Sequence, residues 1–439
     1  MNAKPPAASF DRLGLPPELV ETMTGLGVTE PFPIQAAALP DALAGRDVLG
    51  RARTGSGKTL AFGLALLVRT AGLRAEPKRP LALVLVPTRE LAQQVSDALE
   101  PYARTMGVRL ATVVGGLSIN RQQALLRTGV EVLVATPGRL TDLVSRRDCL
   151  LNHVRITVLD EADQMCDLGF LPQVSDLLAQ IPADGQRLLF SATLDGDVDQ
   201  LVKDHLHNPV LASVDRASGS VTTMEHHVLN IHAADKYATA TEIASRDGRV
   251  LMFLDTKAAV DQFTRHLRAS GVRASALHSG KSQPQRTHTL GQFKDGEITV
   301  LVATNVAARG IHIDALDLVV NVDPPANSKD YLHRSGRTAR AGESGSVVTL
   351  VTPNQRRDVN RMMSDAGIRP IVTQVRSGEE QLTAITGAKR PPTGAKPTGN
   401  APFRGMGTRP GRPAKESRKA AEARKTAEAR AAARVRKGR

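Results

Sequence analysis

Short apolar runs recur along the chain, each closed by a polar or glycine-containing turn and followed by a stretch of helical period. In the first half they are Asp47–Gly50, Leu81–Val86, Val108–Val114, Val130–Ala135, Ile156–Leu159 and Leu188–Phe190. In the second half they are His226–Ile231, Val250–Leu254, Val272–Leu277, Val300–Ala303, Leu318–Val322 and Val347–Val351. Runs with little polar alternation predict strands buried on both faces, as in parallel sheets. Helical stretches between them, such as Leu60–Arg69, make the pattern a series of βαβ units. The series is interrupted once, at Asp215–Ser220, whose Gly and Ser content reads as a linker. The predicted architecture is therefore α/β, with two parallel-sheet domains in tandem. The expected boundaries are an N-terminal segment 1–40, a first domain 41–214, a linker 215–224, a second domain 225–376 and a tail 377–439. No repeat of solenoid period is present.

Composition changes this picture at one end of the chain. The net charge is +14, and Lys389–Arg439 holds 16 Lys and Arg against 3 Glu, a net +13. The two predicted domains are nearly neutral, and the basic excess lies in a tail too poor in apolar residues to build a core. This tail is expected to be disordered and to bind a polyanionic partner through phosphates. Aromatic residues are 3% of the chain and Trp is absent, which argues against stacked-aromatic nucleic-acid platforms. The 2 cysteines, Cys149 and Cys166, are too few for a disulfide framework or a Cys-based zinc site and point to a reducing, cytoplasmic setting. No apolar run reaches the length of a membrane span, and no signal-peptide core follows Met1, so no membrane association is expected.

The candidate chemistry sits at the ends of the predicted strands. The run Ile156–Leu159 ends in Asp160-Glu161-Ala162-Asp163. In an open α/β sheet, ligands bind at the carboxyl ends of strands. One carboxylate there can hold Mg²⁺, and the next can orient or deprotonate a water that attacks a phosphate. The first strand runs into Ala52-Arg53-Thr54-Gly55-Ser56-Gly57-Lys58-Thr59 and then a helix. Glycines let backbone N–H groups close around phosphates; a Lys reaches the β/γ-phosphates and a Thr hydroxyl binds Mg²⁺. The general pattern begins with Gly where this chain has Ala52, so this is a variant of the motif. Gln35, in Gly27–Gln35, carries the acceptor and donors needed to read the edge of adenine. The turns Pro87-Thr88-Arg89-Glu90-Leu91, Gly115-Gly116 and Thr136-Pro137-Gly138-Arg139 offer hydroxyls, free N–H groups and guanidiniums that can hold a nucleic-acid backbone.

In this order and combination, together with Phe10 and Ser191-Ala192-Thr193, the motifs resemble the DEAD-box ATP-dependent RNA helicases, of bacterial type. The resemblance runs from Phe10 to about Val351. In the second half it rests on Phe253–Lys257, Gln283–Arg286, Ala303–Asp314 and His333-Arg334-Ser335-Gly336-Arg337-Thr338-Ala339-Arg340. It implies two RecA-like domains with ATP between them and RNA across both. Carried over residue by residue, it implies adenine contacts from Phe10 and Gln35. Thr54, Gly55, Ser56, Gly57, Lys58, Thr59, Gly310 and His312 would complete the ATP site. Mg²⁺ would be held by Thr59 and Asp160, and the attacking water by Glu161, with His333, Arg337 and Arg340 completing catalysis. Ser191, Thr193 and Asp163 would couple hydrolysis to RNA. RNA would lie on Pro87, Thr88, Arg89, Gly116, Thr136, Pro137, Gly138, Arg139, Thr256, Gln283, Arg286 and Thr304.

The implied activity is RNA-stimulated ATP hydrolysis coupled to local unwinding of short duplexes or ribonucleoprotein remodelling, by a monomer. An ATP-gated RNA clamp and a DNA-directed helicase are the alternatives. Strand displacement set against RNA retention separates the clamp, and single-stranded DNA as cofactor separates the DNA enzyme. Three positions depart from the family pattern. Asn305 and His312 stand where Asp is usual, and Ser335 where Ile is common.

Overall fold

The computed structural model describes residues 9–52, 55–194, 196–213, 224–308, 316–338 and 345–392. Thr54, Gly310, His312, Arg340 and the segment 393–439 lie outside the described residues.

The strands are β1 Val48–Arg51, β2 Ala82–Leu85, β3 Leu110–Val113, β4 Val132–Ala135, β5 Ile156–Asp160, β6 Gln186–Ser191 and β7 Val210–Ser213 in the first lobe. In the second they are β8 Met224–Asn230, β9 Val250–Phe253, β10 Ala274–Leu277, β11 Val300–Ala303, β12 Leu318–Asn321, β13 Gly345–Val351 and β14 Ile371–Gln374. The first sheet has the order β3-β4-β2-β5-β6-β1-β7 and the second β10-β11-β9-β12-β13-β8-β14. Adding seven to each strand number of the first gives the second, so one topology is used twice. Every pairing is parallel.

The apolar runs are explained by what covers the sheets. In β4, Val132 and Val134 join one hydrophobic cluster while Leu133 and Ala135 join the cluster on the opposite face. In β11, Val300 and Val302 face one cluster and Leu301 and Ala303 the other. Each buried Val or Leu contributes about 1.5–3 kcal/mol, and a strand packed on both faces uses every position. The two strands that the sequence pattern did not reveal, β7 and β14, are at sheet edges. Leu211, Ile371 and Val372 are exposed there, and these strands lack the continuous burial of the others.

The expected tail boundary at 377 is corrected by the structure. Residues Glu380–Thr386 form a helix with Leu382 fully buried, and Ala388 is buried too. Glu242 accepts hydrogen bonds from Ser377 Oγ (2.5 Å), Gly378 N (2.8 Å) and, through its carbonyl, Lys389 N (3.0 Å). This segment therefore completes the second lobe.

One polar anchor fixes the start of β4, whose far end carries Thr136–Arg139. Glu131 is fully buried and accepts from Arg109 Nε and N and from Ala75 N at 2.8–3.1 Å, with Arg109 Nη2 at 2.5 Å. Burial alone would raise its pKa, but the Arg109 fork and the two backbone amides outweigh it and hold the carboxyl at about 2. A depressed carboxylate pKa stabilises the fold above the unfolded value and ceases to do so as pH falls through the folded one. Glu131→Gln is thus expected to cost about 3 kcal/mol at pH 7. The gap in Tm from the wild-type chain should close between about pH 4.5 and pH 2. A gap that persists unchanged down to pH 2 would locate the effect in packing instead of charge.

Candidate nucleotide and nucleic-acid site

The parallel sheets bring the motif turns to one edge of each lobe, the carboxyl ends of the strands. In the first lobe, β1 leads into the phosphate-type loop, and Ala52 N extends the ladder to Ser191 O at 3.1 Å. Gly55 and Gly57 have φ of 85° and 86°, and the helix Lys58–Thr70 begins at once after them. A Cβ on Gly57 would lie 2.6 Å from Gln35 Nε2 and 2.8 Å from a Phe32 ring carbon. Glycine is therefore required at 57 by backbone conformation and by close approach together.

Lys58 is buried beside the acidic pair. Its Nζ donates to Glu161 Oε1 at 3.0 Å and lies 3.7 Å from Asp160 Oδ1. Burial alone would lower the Lys58 pKa; the carboxylates of Glu161, Asp160 and Asp163 override that and hold it above the ordinary lysine value. Burial and the neighbouring Glu161 raise Asp160 above the ordinary carboxylate range, against the pull of Lys58. Glu161 itself sits in the left-handed region, with φ 54° and ψ 49°, a strained conformation for a residue with a side chain. Its N–H donates to Asp160 Oδ1 at 2.9 Å, which holds the turn.

Asp163 ties this turn to the end of β6. Its N–H donates to Ser191 Oγ at 3.2 Å, and its Oδ2 accepts from Thr193 N (3.2 Å) and Thr193 Oγ1 (3.3 Å). The three residues proposed as a coupling set on resemblance are thus brought together.

The glycine cradle, the buried Lys58, the paired carboxylates and the buried, unpartnered Oγ of Ser56 fit a nucleotide polyphosphate. Thr59, at the start of the helix, and Asp160 are the residues able to hold a divalent cation with it.

Phe10 and Gln35, assigned to adenine by resemblance, have defined partners within the first lobe. Phe10 is 2% exposed, packed in the hydrophobic core of the first lobe. Gln35 is fully buried; its Oε1 accepts from Phe32 N (2.8 Å) and its Nε2 donates to Gly57 O (3.0 Å). The amide braces the phosphate-type loop here, and Phe10 braces the helices beneath it.

A basic cluster lies at the ends of β2, β3 and β4. Thr88 caps its helix by accepting from Leu91 N at 3.2 Å, and Pro87 is buried beneath it. Arg89 passes against Gly116, where a Cβ would lie 2.1 Å from its Nη1 and φ is 77°. Arg139 donates to Leu117 O at 3.1 Å. Thr136 precedes the helix Pro137–Ser145, and Gly138 has open space around it. Burial lowers the Arg89 pKa against Glu90, and the Arg286 and Arg139 guanidiniums lower it further. The arrangement leaves positive charge for a phosphate backbone to neutralise.

Gln283 and Arg286 were expected on RNA; the structure places them in a contact between the lobes. Arg286 Nε and Gln283 Nε2 donate to Glu90 Oε1 at 2.8 and 3.1 Å, Arg89 Nη1 donates to Gln283 Oε1 at 3.3 Å, and Arg286 Nη2 donates to Ala307 O at 3.3 Å. Glu90, read in the sequence only as part of the Pro87–Leu91 turn, is the acceptor of this contact, a role that its place in a helical first turn does not reveal.

In the second lobe, Thr256 caps a helix by accepting from Ala259 N at 3.1 Å, and Thr304 N extends the ladder to Leu277 O at 3.3 Å. Asn305 has a physical reason for replacing Asp. Its Nδ2 donates to Asp330 Oδ1 at 2.5 Å while its Oδ1 accepts from Arg334 Nε at 3.4 Å. A carboxylate at 305 would face the carboxylate of Asp330. Arg334 is buried, with its guanidinium 4.9 Å from the Phe253 ring centroid and Nη1 donating to Asn321 Oδ1 (3.1 Å) and Asp323 O (2.8 Å). The Ser335 hydroxyl donates to Leu332 O at 3.0 Å, which satisfies it inside the fold. His333 accepts at its carbonyl from Arg337 Nε at 3.3 Å, and its ring Nδ1 lies 4.0 Å from Asp167 of the first lobe. Arg337 is buried beside it. Among the described residues, no helix is long and apolar enough to cross a membrane.

Comparison with known proteins follows the same two-lobe division. Residues 32–201 match the family model described as DEAD/DEAH box helicase, and residues 235–342 the helicase conserved C-terminal domain. The chain is 41% identical over 384 residues to an ATP-dependent rRNA helicase, RRP3, of Mycosarcoma maydis, covering 87% of this chain and 68% of that one. It is 39% identical to an ATP-dependent RNA helicase, DBP2, of Eremothecium gossypii, covering 79% of this chain and 64% of the relative's length. Among solved structures it is similar to S. cerevisiae Dbp5 bound to RNA and ADP BeF3, with a TM-score of 0.78 and 30% identity over 87% of this chain and 99% of that one.

Proposed function

Because this chain belongs to the DEAD/DEAH box helicase family, we propose that it is an RNA-dependent ATPase that opens short RNA duplexes or remodels ribonucleoprotein. The observation that carries the proposal is the link from the phosphate-type loop through Lys58, Glu161 and Asp163 to Ser191 and Thr193, with the second lobe joined to the same edge at Glu90.

Lys58 neutralises Glu161 until phosphate oxygens compete for its ammonium. Its transfer to the phosphates leaves the Glu161 carboxylate to orient the attacking water. Thr59 and Asp160 would hold Mg²⁺, whose charge offsets that of the phosphates when it is bound. Arg337 and Arg340, from the second lobe, would stabilise charge on the transferring phosphoryl group. Asp163 passes the state of the Ser191–Thr193 turn to the carboxylates. Arg89, Arg139 and the turns at Gly116, Thr136–Gly138, Thr256 and Thr304 would hold the RNA backbone without reading sequence, and the 2′-OH would separate RNA from DNA. A cytoplasmic setting is consistent with two unpaired cysteines.

ATP turnover measured with RNA, with single-stranded DNA and with neither tests the reading. Stimulation by RNA alone is expected. Equal rates in all three contradict it, and stimulation by DNA redirects it to a DNA enzyme.

The basic tail is proposed as a sequence-blind RNA tether. For single strands, log K falls against log salt by about 0.7 per phosphate contact, so roughly five contacts contribute about 3.5 to the slope. A chain ending at Pro392 should lose that part of the slope and show a higher RNA KM, with kcat at saturating RNA near that of the full chain. Identical slopes for the two chains remove the tether.

A further inference from the structure

We propose that Lys329 is a positioning residue for ATP hydrolysis, setting the helix that leads to Arg337 against the helix that follows Glu161 through an ion pair with Asp167. The proposal rests on the reading that the two lobes act together on ATP and RNA.

Lys329 Nζ lies 2.9 Å from Asp167 Oδ1, with side-chain exposures of 31% and 21%. Asp167 is the last residue of the helix Ala162–Asp167, which starts directly after Glu161. Lys329 is in the first turn of the helix Ser328–Ser335. One turn further on, His333 turns its Nδ1 toward the other oxygen of Asp167. Both carboxylate oxygens thus face the same helix of the second lobe. That helix also carries Arg334, and its last turn leads into Arg337.

The placement argues against a local role for either charge. A cation in a first helical turn and an anion at a helix C-terminus each oppose the dipole of their own helix. Each charge is unfavourable where it stands and is offset by the other across the cleft. Another described contact between the lobes, of Glu90 with Gln283 and Arg286, lies at the basic cluster. The Lys329–Asp167 pair supplies a second point of attachment on the side of the carboxylates. Two separated points fix an orientation; one leaves a hinge. Neither Lys329 nor Asp167 falls within the motifs that carry the phosphate and water chemistry.

If RNA binding and lobe closure are coupled, weakening the pair raises the RNA concentration needed for closure and leaves the closed complex itself intact. A fold defect would instead lower the active fraction, and so kcat, at every RNA concentration. The test is RNA-stimulated ATPase of the full chain and its Lys329→Ala, Lys329→Arg, Lys329→Glu and Lys329→Glu/Asp167→Arg variants, at about 0.05 and about 0.5 M salt. Lys329→Ala should raise the RNA KM roughly threefold to fivefold, with kcat at saturating RNA within about twofold. Lys329→Arg should stay near wild type. Lys329→Glu, which faces Asp167 with a like charge, should raise KM by about tenfold or more, and the swapped pair should recover most of it. The difference between wild type and Lys329→Ala should shrink at the higher salt.

An RNA KM unchanged in both Lys329→Ala and Lys329→Glu overturns the proposal. So does a fall in kcat without a change in KM. Should the swapped chain fail to fold, the comparison of Lys329→Arg with Lys329→Glu decides. RNA stimulation intact in the wild type but indifferent to Lys329 sinks the ion pair alone; no stimulation in the wild type sinks the two-lobe reading with it.

Discussion

Glu161→Gln is expected to bind ATP nearly as well as the wild-type chain and to lose almost all turnover. The amide keeps the shape of the side chain and can still accept from Lys58, so the buried cluster at the end of β5 survives. What it loses is the charge that orients and deprotonates the attacking water. Removal of such a group lowers the rate by roughly 10²–10⁴-fold. The strained left-handed backbone at 161 is retained, since Gln has the same backbone preferences as Glu and the Asp160 carboxylate still accepts from its N–H. With hydrolysis blocked and both ligands still bound, complexes of the variant with RNA and ATP should accumulate and dissociate slowly. ATP titration, single-turnover kinetics and RNA off-rates check the three parts together. Ordinary turnover in this variant would remove Glu161 from the chemistry. A large loss of ATP binding would show that it serves mainly to hold Lys58.

Arg337→Ala is expected to lower RNA-stimulated kcat by about 10³–10⁵, the range for arginine fingers in phosphoryl-transfer enzymes, while the Kd for ATP changes little. Arg337 is buried, follows the helix Ser328–Ser335 and donates to the His333 carbonyl at 3.3 Å, so its backbone position is set by the second lobe. A guanidinium that meets the phosphates only when the lobes are together acts on the transition state and adds little to ground-state binding. The split between kcat and Kd is therefore the informative quantity. Equal losses in both would assign Arg337 to ground-state binding or to the integrity of the second lobe.

Much of this architecture was legible in the sequence because parallel strands buried on both faces cannot alternate. Runs such as Val130–Ala135 and Val300–Ala303 stand out for that reason. β7 and β14 did not stand out because an edge strand with one partner and an open face carries no such run. The helix Glu380–Thr386 was hidden by its neighbourhood. Its single fully buried side chain, Leu382, leaves no periodic stripe, and the Pro- and Lys-rich residues just beyond it read as tail.

The site was legible where chemistry demands particular residues in sequence: glycines in a phosphate-type loop, paired carboxylates at a strand end, hydroxyls after β6. It was illegible where function depends on what meets across space. Glu90 and Asp167 look like ordinary helical acids until Arg286 and Lys329 are seen opposite them. Phe10 and Gln35 were assigned to adenine by resemblance alone; the sequence did not reveal that Phe10 packs into the core or that Gln35 donates to the Gly57 carbonyl. Asn305 was a departure without a reason until Asp330 was found beside it.

The most direct measurement of the central claim is displacement of a strand from a short RNA duplex, followed in real time with the purified full chain. The account predicts displacement that requires ATP, fails on the matching DNA duplex, and loses its multiple turnovers in Glu161→Gln. Displacement at the same rate without ATP, or an intact duplex held in a stable complex while ATP is hydrolysed, would contradict it.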